Sequence, residues 1–414
     1  MSGAAVAIAV HDGYFSAGSG AGRSNRALIT TVAETLAPGV HLALLPILLH
    51  PASPEYGHQG HHALRERLST VNHQVIPIGN GTGGMHRFGS LTAFQHAERG
   101  AAQVLNPFMR RHHPGLLIAI DQPFAGLGSH LQVPAGWRLL YLPRSTATHH
   151  SHSACTTHER QGLAGWVAHG AHIGAISTHM RAILNSQGIP PAQIIDVPDG
   201  LTPAEDVPLS AAPPLPAAAQ TGGFMLAMGR AQPYKGFEDL LDAITQLTHQ
   251  RVHVPHLLLA AVAEGELTAY QRYLRTLATD LKVAATLWTR FDLRLPGLLH
   301  HPELRAVIVP SRIEPFGRIP LEAFAAGAAP VVATSAGGLA ETVIDGLTGF
   351  TAPPRNPAAL ACALHRALTA TPGQIARMRA AGAAVVAARD YTTCITGVLS
   401  TLAPWASTAA AVKP

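Results

Sequence analysis

Residues 311–323 read Ser311-Arg312-Ile313-Glu314-Pro315-Phe316-Gly317-Arg318-Ile319-Pro320-Leu321-Glu322-Ala323. A short apolar run, Ala306 to Val309, comes before this stretch, and Leu321 to Ala326 is helical by pattern, so the segment reads strand, loop, helix. Pro320 suits the first position of a helix, where its missing N–H costs nothing. Glu314 falls on the loop and Glu322 one turn into the helix. Between them the amides of Phe316, Gly317, Arg318 and Ile319 face the helix N-terminus, where backbone N–H groups hold phosphate oxygens. Two carboxylates so spaced can accept sugar hydroxyls. The plainer reading is a capped helix carrying two surface acids.

Upstream, Met228-Gly229-Arg230-Ala231-Gln232-Pro233-Tyr234-Lys235-Gly236 also follows a strand, Phe224 to Met228, and precedes a helix, Phe237 to Leu247. Gly229 allows close backbone approach. Arg230 offers a planar fork of donors and Lys235 a point charge, a pair suited to one diphosphate. Two basic residues on a loop are by themselves a solvated surface. Further strands (His256 to Val262, Ala306 to Val309, Ala329 to Ala333) alternate with helices (Leu267 to Leu281, Leu321 to Ala326, Pro357 to Leu368). That alternation implies a parallel sheet.

The first half has the same character. Strands are expected at Ala4–Val10, Val40–Leu49, Gln74–Ile78, Gly115–Ile120, Arg138–Leu142 and Gly174–Ser177, with helices at Asn25–Leu36 and Leu91–Leu105. Pro203, Pro208, Pro213, Pro214 and Pro216 mark a linker. The expected organisation is a first α/β domain over 1–205, a Pro/Ala-rich linker over 206–222 and a second α/β domain over 223–390, to which the resemblance named below assigns the acceptor side and the nucleotide-sugar side respectively. A segment over 391–414 is expected to pack back on the first domain and end in a flexible tail. Two such α/β halves suggest two Rossmann-like domains facing each other across a cleft, with ligands at the switch points of their sheets.

Gly18-Ser19-Gly20-Ala21-Gly22-Arg23 lies between the first strand and the first helix. A dinucleotide fingerprint needs its third glycine three places after the second, and that place is Arg23. No acidic residue follows about 20 positions on, as the fingerprint requires. A tight turn or an anion-approach loop through Gly20, Ala21 and Gly22 remains.

Composition excludes much else. The 414 residues include 29 Lys and Arg, 24 Asp and Glu and 25 His, for a formal net charge of +5. That charge climbs as pH falls through about 6.5, the ordinary histidine range. No apolar run reaches the ~18 residues of a membrane span. The N-terminus has no basic-then-apolar leader pattern. Three scattered cysteines do not make a disulfide framework or a Cys-based zinc site, and a reducing cytoplasm is expected. The isoelectric point near 9.4 admits an anionic partner, but no Lys/Arg stripe points to nucleic acid. Adjacent histidine pairs (61–62, 112–113, 300–301) diverge on helix and strand alike. The histidines therefore read as solvated loop residues, and no metal site is expected.

The segments GRAQPYKGFEDLLDAI, SRIEPFGRIPLEAFAAGAAPVVATSAGGLAETVIDGLTGF and the Pro-Ala-Ala-Leu helix at 357–360 resemble the C-terminal domain of the retaining family-4 glycosyltransferases of GT-B fold. Ser177-Thr-His-Met-Arg-Ala-Ile-Leu and Val197-Pro-Asp-Gly200 resemble the closing elements of that family's N-terminal domain. The resemblance runs from about 159 to 370. It implies that Arg230 and Lys235 bind the donor diphosphate, that Glu314 accepts donor-sugar hydroxyls and that Glu322 accepts the ribose. Phe316, Gly317, Arg318 and Ile319 would supply amides, with Gly229 beside them. Arg290 and Phe291 would lie near the nucleobase, and Gly20, Ala21 and Gly22 would approach the diphosphate or acceptor.

Glu314, Arg230 and Lys235 are thus the catalytic candidates, and Asp12, Arg144 and His149 the acceptor-side ones. Where family members carry a histidine after the strand Arg138–Leu142, this chain has Arg144, with His149 nearby. Asp199 stands where Asn is commoner, read as a turn change because both tolerate left-handed backbone.

The expected function is a retaining, metal-independent glycosyl transfer from a UDP- or GDP-sugar, without cofactor, to a small polar acceptor such as an aminocyclitol or a low-molecular-weight thiol. Its expected setting is bacterial secondary metabolism or antibiotic biosynthesis. The alternatives are a sugar-phosphate-accepting synthase, with Arg23, Arg26 and Arg144 as its anion pocket, and a non-catalytic nucleotide-sugar-binding protein.

Overall fold

The computed structural model describes residues 3–53, 56–82, 90–150, 153–205, 207–263, 265–328 and 330–407. The chain divides into two compact units, Met1–Asp199 with Asp390–Pro414, and Gly200–Arg389.

In the first unit seven parallel strands run β1 (Ala5–Val10), β2 (His41–Pro46), β3 (His73–Val75), β4 (Gly115–Ile120), β5 (Trp137–Leu142), β6 (His172–Ala175) and β7 (Ile194–Asp196). They alternate with α1 (Gly20–Thr35), α2 (His58–Leu68), α3 (Leu91–Arg111), α4 (Ser153–Ala168) and α5 (Thr178–Ser186). The sheet order is β3-β2-β1-β4-β5-β6-β7. β1 and β4 are buried along their whole length, the near-continuous apolar run of strands covered on both faces. β1 pairs with β2 through Ala5 and His41 and with β4 through Ala5 and Gly115. Strand order therefore reverses between β1 and β4, and their carboxyl ends form a switch point.

The second unit holds β8 (Phe224–Arg230), α6 (Phe237–His249), β9 (His256–Ala263), α7 (Ala269–Asp280), β10 (Ala285–Arg290) and β11 (Leu304–Val309). They are followed by α8 (Arg318–Ala325), β12 (Val331–Thr334), β13 (Gly349–Ala352), α9 (Pro357–Leu368) and α10 (Pro372–Ala387). Its sheet is parallel, ordered β10-β9-β8-β11-β12-β13, with the reversal between β8 and β11. The last helix, α11 (Tyr391–Leu402), belongs to the first unit. There Leu36 bridges Ser407 and the Ala37 amide donates to the Ala406 carbonyl at 2.8 Å.

Several elements depart from the sequence reading. α1 begins at Gly20 rather than Asn25, because Ser19 accepts the Gly22 amide at 2.9 Å and so caps the helix five residues early. α2 was not expected. Its buried residues are His61, Leu64 and Leu68, so a histidine stands where the pattern needs an apolar residue. α4 was hidden by its glycines. A Cβ on Gly162 would lie 2.3 Å from the Ala125 carbonyl oxygen, and one on Gly165 would lie 2.4 Å from Ser129 Oγ. These glycines allow a close approach, where sequence alone suggests helix breaking. The Pro-rich stretch lies within the second unit. Its two short turns, Leu209–Ala211 and Ala217–Ala219, end with Ala219 fully buried. A Cβ on Gly297 would meet the Pro208 carbonyl oxygen at 2.9 Å.

Two buried acids brace the first unit. Glu98 on α3 is fully buried and accepts the Gly126 amide at 2.6 Å and His158 Nε2 at 3.0 Å. Glu159 accepts Gln122 Nε2 at 2.9 Å and the Ala147 amide at 2.8 Å, and burial pushes its pKa up. The hydrogen bond to Glu98 outweighs burial at His158 and raises that imidazole above the usual histidine range. A raised folded-state pKa stabilises the fold fully below about 6.5, the unfolded value, and the contribution fades as pH climbs through the raised one. His158→Asn should therefore lower the thermal midpoint most below pH 6.5. The gap to wild type, followed by circular dichroism, should narrow toward pH 8. A gap that widens with pH would contradict the charged pairing.

Candidate functional site

At the second switch point, β8 ends at Arg230 and a single turn, Pro233–Lys235, leads to Gly236 in the left-handed region with φ 67°. β11 ends at Val309, and its loop runs to Gly317. The two loops touch through backbone. A Cβ on Gly236 would sit 2.1 Å from the Pro310 carbonyl oxygen, so only glycine fits. Lys235 Nζ reaches Glu314 Oε2 at 2.5 Å, and Ser311 Oγ donates to the same oxygen at 3.1 Å. Both charged side chains are largely buried, 14% and 13% exposed. This is a compact charged pair set in low dielectric. Arg230 is half-buried at the end of β8, and Gly229 lies below the Lys235 stem, with its Cβ direction 3.6 Å from Lys235 Cδ.

The sequence reading assigned no role to the residue that holds this arrangement. The Arg312 amide donates to the Tyr234 carbonyl at 2.7 Å, and its guanidinium to the Pro233 carbonyl at 3.2 Å. The same guanidinium is bidentate on Asp239 of α6, at 2.8 and 2.6 Å. The hydrogen bond to Asp239 is the largest cause of its raised pKa. Arg312 therefore latches the Lys235 loop to the Glu314 loop. An arginine two places before Glu314, facing an acid at the start of α6, was the available signal.

Gly317 has φ 95°, and a Cβ there would lie 2.4 Å from Leu339 Cδ2. Behind the loop, the Gly338 amide donates to the Glu314 carbonyl at 3.0 Å, and a Cβ on Gly338 would come within 2.5 Å of Phe316 Cα. α8 starts at Arg318, so Pro320 is its third residue rather than its first. The Gly317, Arg318 and Ile319 amides lie in the first turn and face the helix N-terminus, and Pro320 contributes no amide. Phe316 is buried under the loop. Glu322 is half-buried one turn on, its Oε1 3.7 Å from Arg318 Nε. Arg290, exposed, ends the edge strand β10, with Phe291 next. Both sit at the carboxyl edge of the sheet, two strands from β8, and outside the Lys235–Glu314 pair.

In the first unit, Gly20, Ala21 and Gly22 form the first turn of α1 rather than a loop. Gly22 gives its amide to Ser19, and Ser19 Oγ donates to Asp12 Oδ2 at 2.6 Å. A Cβ on Gly22 would lie 2.2 Å from that oxygen. Asp12 is thus a buried carboxylate against the α1 N-terminus, where an added anion would meet like charge.

Arg144 is buried. It donates to Asn25 Oδ1 at 2.9 Å and to the Tyr391 hydroxyl at 2.6 Å, and stands 3.6 Å from Asp199 Oδ1. Asp199 also takes Ser24 Oγ at 2.8 and 2.9 Å. Asp199 is not among the described residues with positive φ. It stands there as a counter-charge and not as a turn residue. Arg26 donates to the Gly13 and Tyr14 carbonyls at 2.8 and 3.0 Å.

His149 is buried. Its Nδ1 accepts the Thr146 amide at 3.1 Å, which leaves the proton on Nε2, 3.4 Å from His179 Nε2. His61 and His149 are therefore structural rather than solvated. Among the described residues no cluster of three or more His, Cys, Asp or Glu can hold a metal ion.

Asp121, at the carboxyl end of β4, was also missed. Its φ of 76° and ψ of 170° lie in a region essentially reserved for glycine, a strain of about 1–3 kcal/mol found at functional sites. Burial alone would raise its pKa. His11, whose Nδ1 is 3.9 Å from Oδ2, the Gln122 amide and Arg144 together hold it low.

Residues 216–384 match the family model of the "Glycosyl transferases group 1". The chain is 36% identical over 177 residues to a glycogen synthase of Mycobacterium tuberculosis, 42% of this chain and 40% of that one. It is 37% identical over 166 residues to D-inositol 3-phosphate glycosyltransferase 1 of Catenulispora acidiphila, 38% of each chain. The match thus spans about two fifths of the length of these curated relatives.

Two solved structures align along nearly the whole chain. Sucrose-phosphate synthase from Thermosynechococcus elongatus has a TM-score of 0.73 at 20% identity, over 96% of this chain and 98% of that one. Anabaena Alr3699/HepE, in complex with UDP and glucose, has a TM-score of 0.70 at 19% identity, over 97% and 99%. At such identity these two establish the fold, two Rossmann-like α/β units of the GT-B class.

Arg312→Met should lower stability by about 1–3 kcal/mol through the lost charged hydrogen bonds, read as a denaturant midpoint. Gly236→Ala, clashing with backbone at positive φ, should cost at least as much. An unchanged midpoint in both variants would show that the two loops are not latched.

Proposed function

We propose that the protein is a glycosyltransferase that moves a sugar from a nucleotide diphosphate sugar to a small polar acceptor. The observation that carries this reading is the pairing of Lys235 with Glu314 beside the α8 N-terminus, at the switch point where open α/β sheets bind ligands. The group 1 match over 216–384 covers these residues. The names of the relatives and the UDP-glucose complex of HepE point to the same class of donor.

On this reading the leaving nucleoside diphosphate gathers negative charge as the anomeric C–O bond breaks. Arg230 and Lys235 neutralise it, and the Gly317, Arg318 and Ile319 amides receive its oxygens. Preorganised donors aimed at developing charge are each worth a few kcal/mol. Glu314 accepts donor-sugar hydroxyls once Lys235 turns toward phosphate, and Glu322 accepts the ribose. The reading includes retention of configuration by front-face displacement, with no metal and no organic cofactor, in the cytoplasm. Among the described residues no helix is long and apolar enough to cross a membrane.

For the acceptor, an aminocyclitol or a low-molecular-weight thiol, as in bacterial secondary or antibiotic metabolism, remains the first choice. The reason is that two of the three arginines a phosphate pocket would draw on, Arg26 and Arg144, are committed to internal partners. A phosphorylated polyol or sugar is the second reading, favoured by the names of the inositol-phosphate and sucrose-phosphate relatives.

The test is nucleoside diphosphate release from UDP- and GDP-sugars, with aminocyclitols, thiols, inositol phosphate and hexose phosphates as acceptors. Release should occur with one donor and fall at least ~1,000-fold in Arg230→Ala/Lys235→Ala. Undiminished release by that variant would overturn the donor-site assignment.

A further inference from the structure

Between Asp199 and Gly200 the chain passes from the first unit to the second, and between Arg389 and Asp390 it returns. A buried arginine holds each side of these crossings. On the first-unit side, Arg144 faces Asp199 at 3.6 Å and donates to the Tyr391 hydroxyl at 2.6 Å. On the second-unit side, Arg318 Nη1 donates to the Gly200 carbonyl at 2.7 Å and Nη2 to Glu205 Oε1. Glu205 Oε2 in turn accepts the Thr202 amide at 2.8 Å and its hydroxyl at 3.1 Å. The Leu201 amide donates to the Arg389 carbonyl at 3.4 Å, which ties the outgoing segment to the returning one.

Arg318 is also the first residue of α8, and its Nε stands 3.7 Å from Glu322 Oε1. Two carboxylates, Glu205 and Glu322, therefore share one guanidinium. A ribose accepted by Glu322 draws on the carboxylate that faces Nε. A phosphate on the Gly317 to Ile319 amides brings negative charge to the backbone of Arg318 itself and steadies the first turn of the helix. Both events act on the side chain that fixes Gly200 and Glu205.

We propose that Arg318 is a positioning residue that transmits ligand occupancy of the α8 N-terminus to the crossing segment 200–205. The proposal rests on the donor-site reading above and adds to it a second output, the ordering of the chain where it changes unit. Linkage makes the coupling reciprocal, so ordering of 200–205 strengthens donor binding by the same factor.

Hydrogen–deuterium exchange on the full chain, free and saturated with UDP or GDP, tests it, with calorimetry reporting binding separately. In wild type, peptides spanning 199–205 should exchange about fivefold or more slowly when the diphosphate is bound. Arg318→Met should still bind through Arg230, Lys235 and the amides, with weaker affinity, and lose the slowing at 199–205. Arg318→Lys, which keeps the charge, should restore part of it. Glu205→Gln, which leaves Arg318 in place, should reduce it. The same slowing in Arg318→Met as in wild type would overturn the coupling and leave the donor site standing. Should Arg318→Met fail to fold, an undiminished slowing in Glu205→Gln would overturn it instead. If neither diphosphate binds wild type, the donor-site reading fails and the proposal with it.

Discussion

The Gly236 backbone lies so close to the Pro310 carbonyl that a single Cβ would stand 2.1 Å from the oxygen. That contact joins the loop after β8 to the loop after β11, and Arg312 fastens it with hydrogen bonds to Tyr234, Pro233 and Asp239. Two segments some 80 residues apart in sequence become one charged surface only there. Lys235 can pair with Glu314 because both loops leave adjacent parallel strands at their carboxyl ends. The left-handed turn at Gly236 aims one of them at the other.

Only 13% of the residues are Asp, Glu, Lys or Arg, about half the usual share, and that scarcity has a structural counterpart. Many of the buried charges in the first unit are internally balanced: Arg144 by Asp199, Glu98 by His158, Asp121 by its neighbours His11 and Arg144. An unpaired buried charge costs several kcal/mol, so each such residue commits a partner. Arg144 and Asp199, which the sequence reading treated separately, are such a pair, 3.6 Å apart. Asp199 answers Arg144, and Arg144 reaches Tyr391 to seat the returning helix α11. What the sequence presents as two acceptor-side or turn substitutions is one buried electrostatic cluster.

Strands such as β1, β4, β8 and β11 were legible because burial on both faces demands unbroken apolar runs. The loop-and-helix pairs that follow β8 and β11 were legible because glycine, proline and charge fall at fixed places. Helices α2 and α4 were not, because a histidine and two glycines stand on their packing faces, and those residue types signal loops when read singly. Gly20–Gly22, expected in a tight turn or an anion-approach loop, are instead the first turn of α1, because the helix cap, Ser19, is held by Asp12, seven residues after the start of β1. Arg312 and Asp121 escaped notice for different reasons. An arginine's partners are fixed by tertiary packing, and a strained φ leaves no mark on composition. The histidines split the same way: His61, His149 and His158 are parts of the interior, which no count of 25 could indicate.

The central claim is that the diphosphate of the donor binds on the second unit, at the β8–β11 switch point. A crystal structure of the full chain grown with UDP or GDP tests it directly. The account predicts phosphate oxygens within hydrogen-bond distance of Arg230, Lys235 and the Gly317 to Ile319 amides, with the Lys235–Glu314 pair opened. A diphosphate seated instead on the first turn of α1 at Gly20–Gly22, with Lys235 still on Glu314, would contradict it.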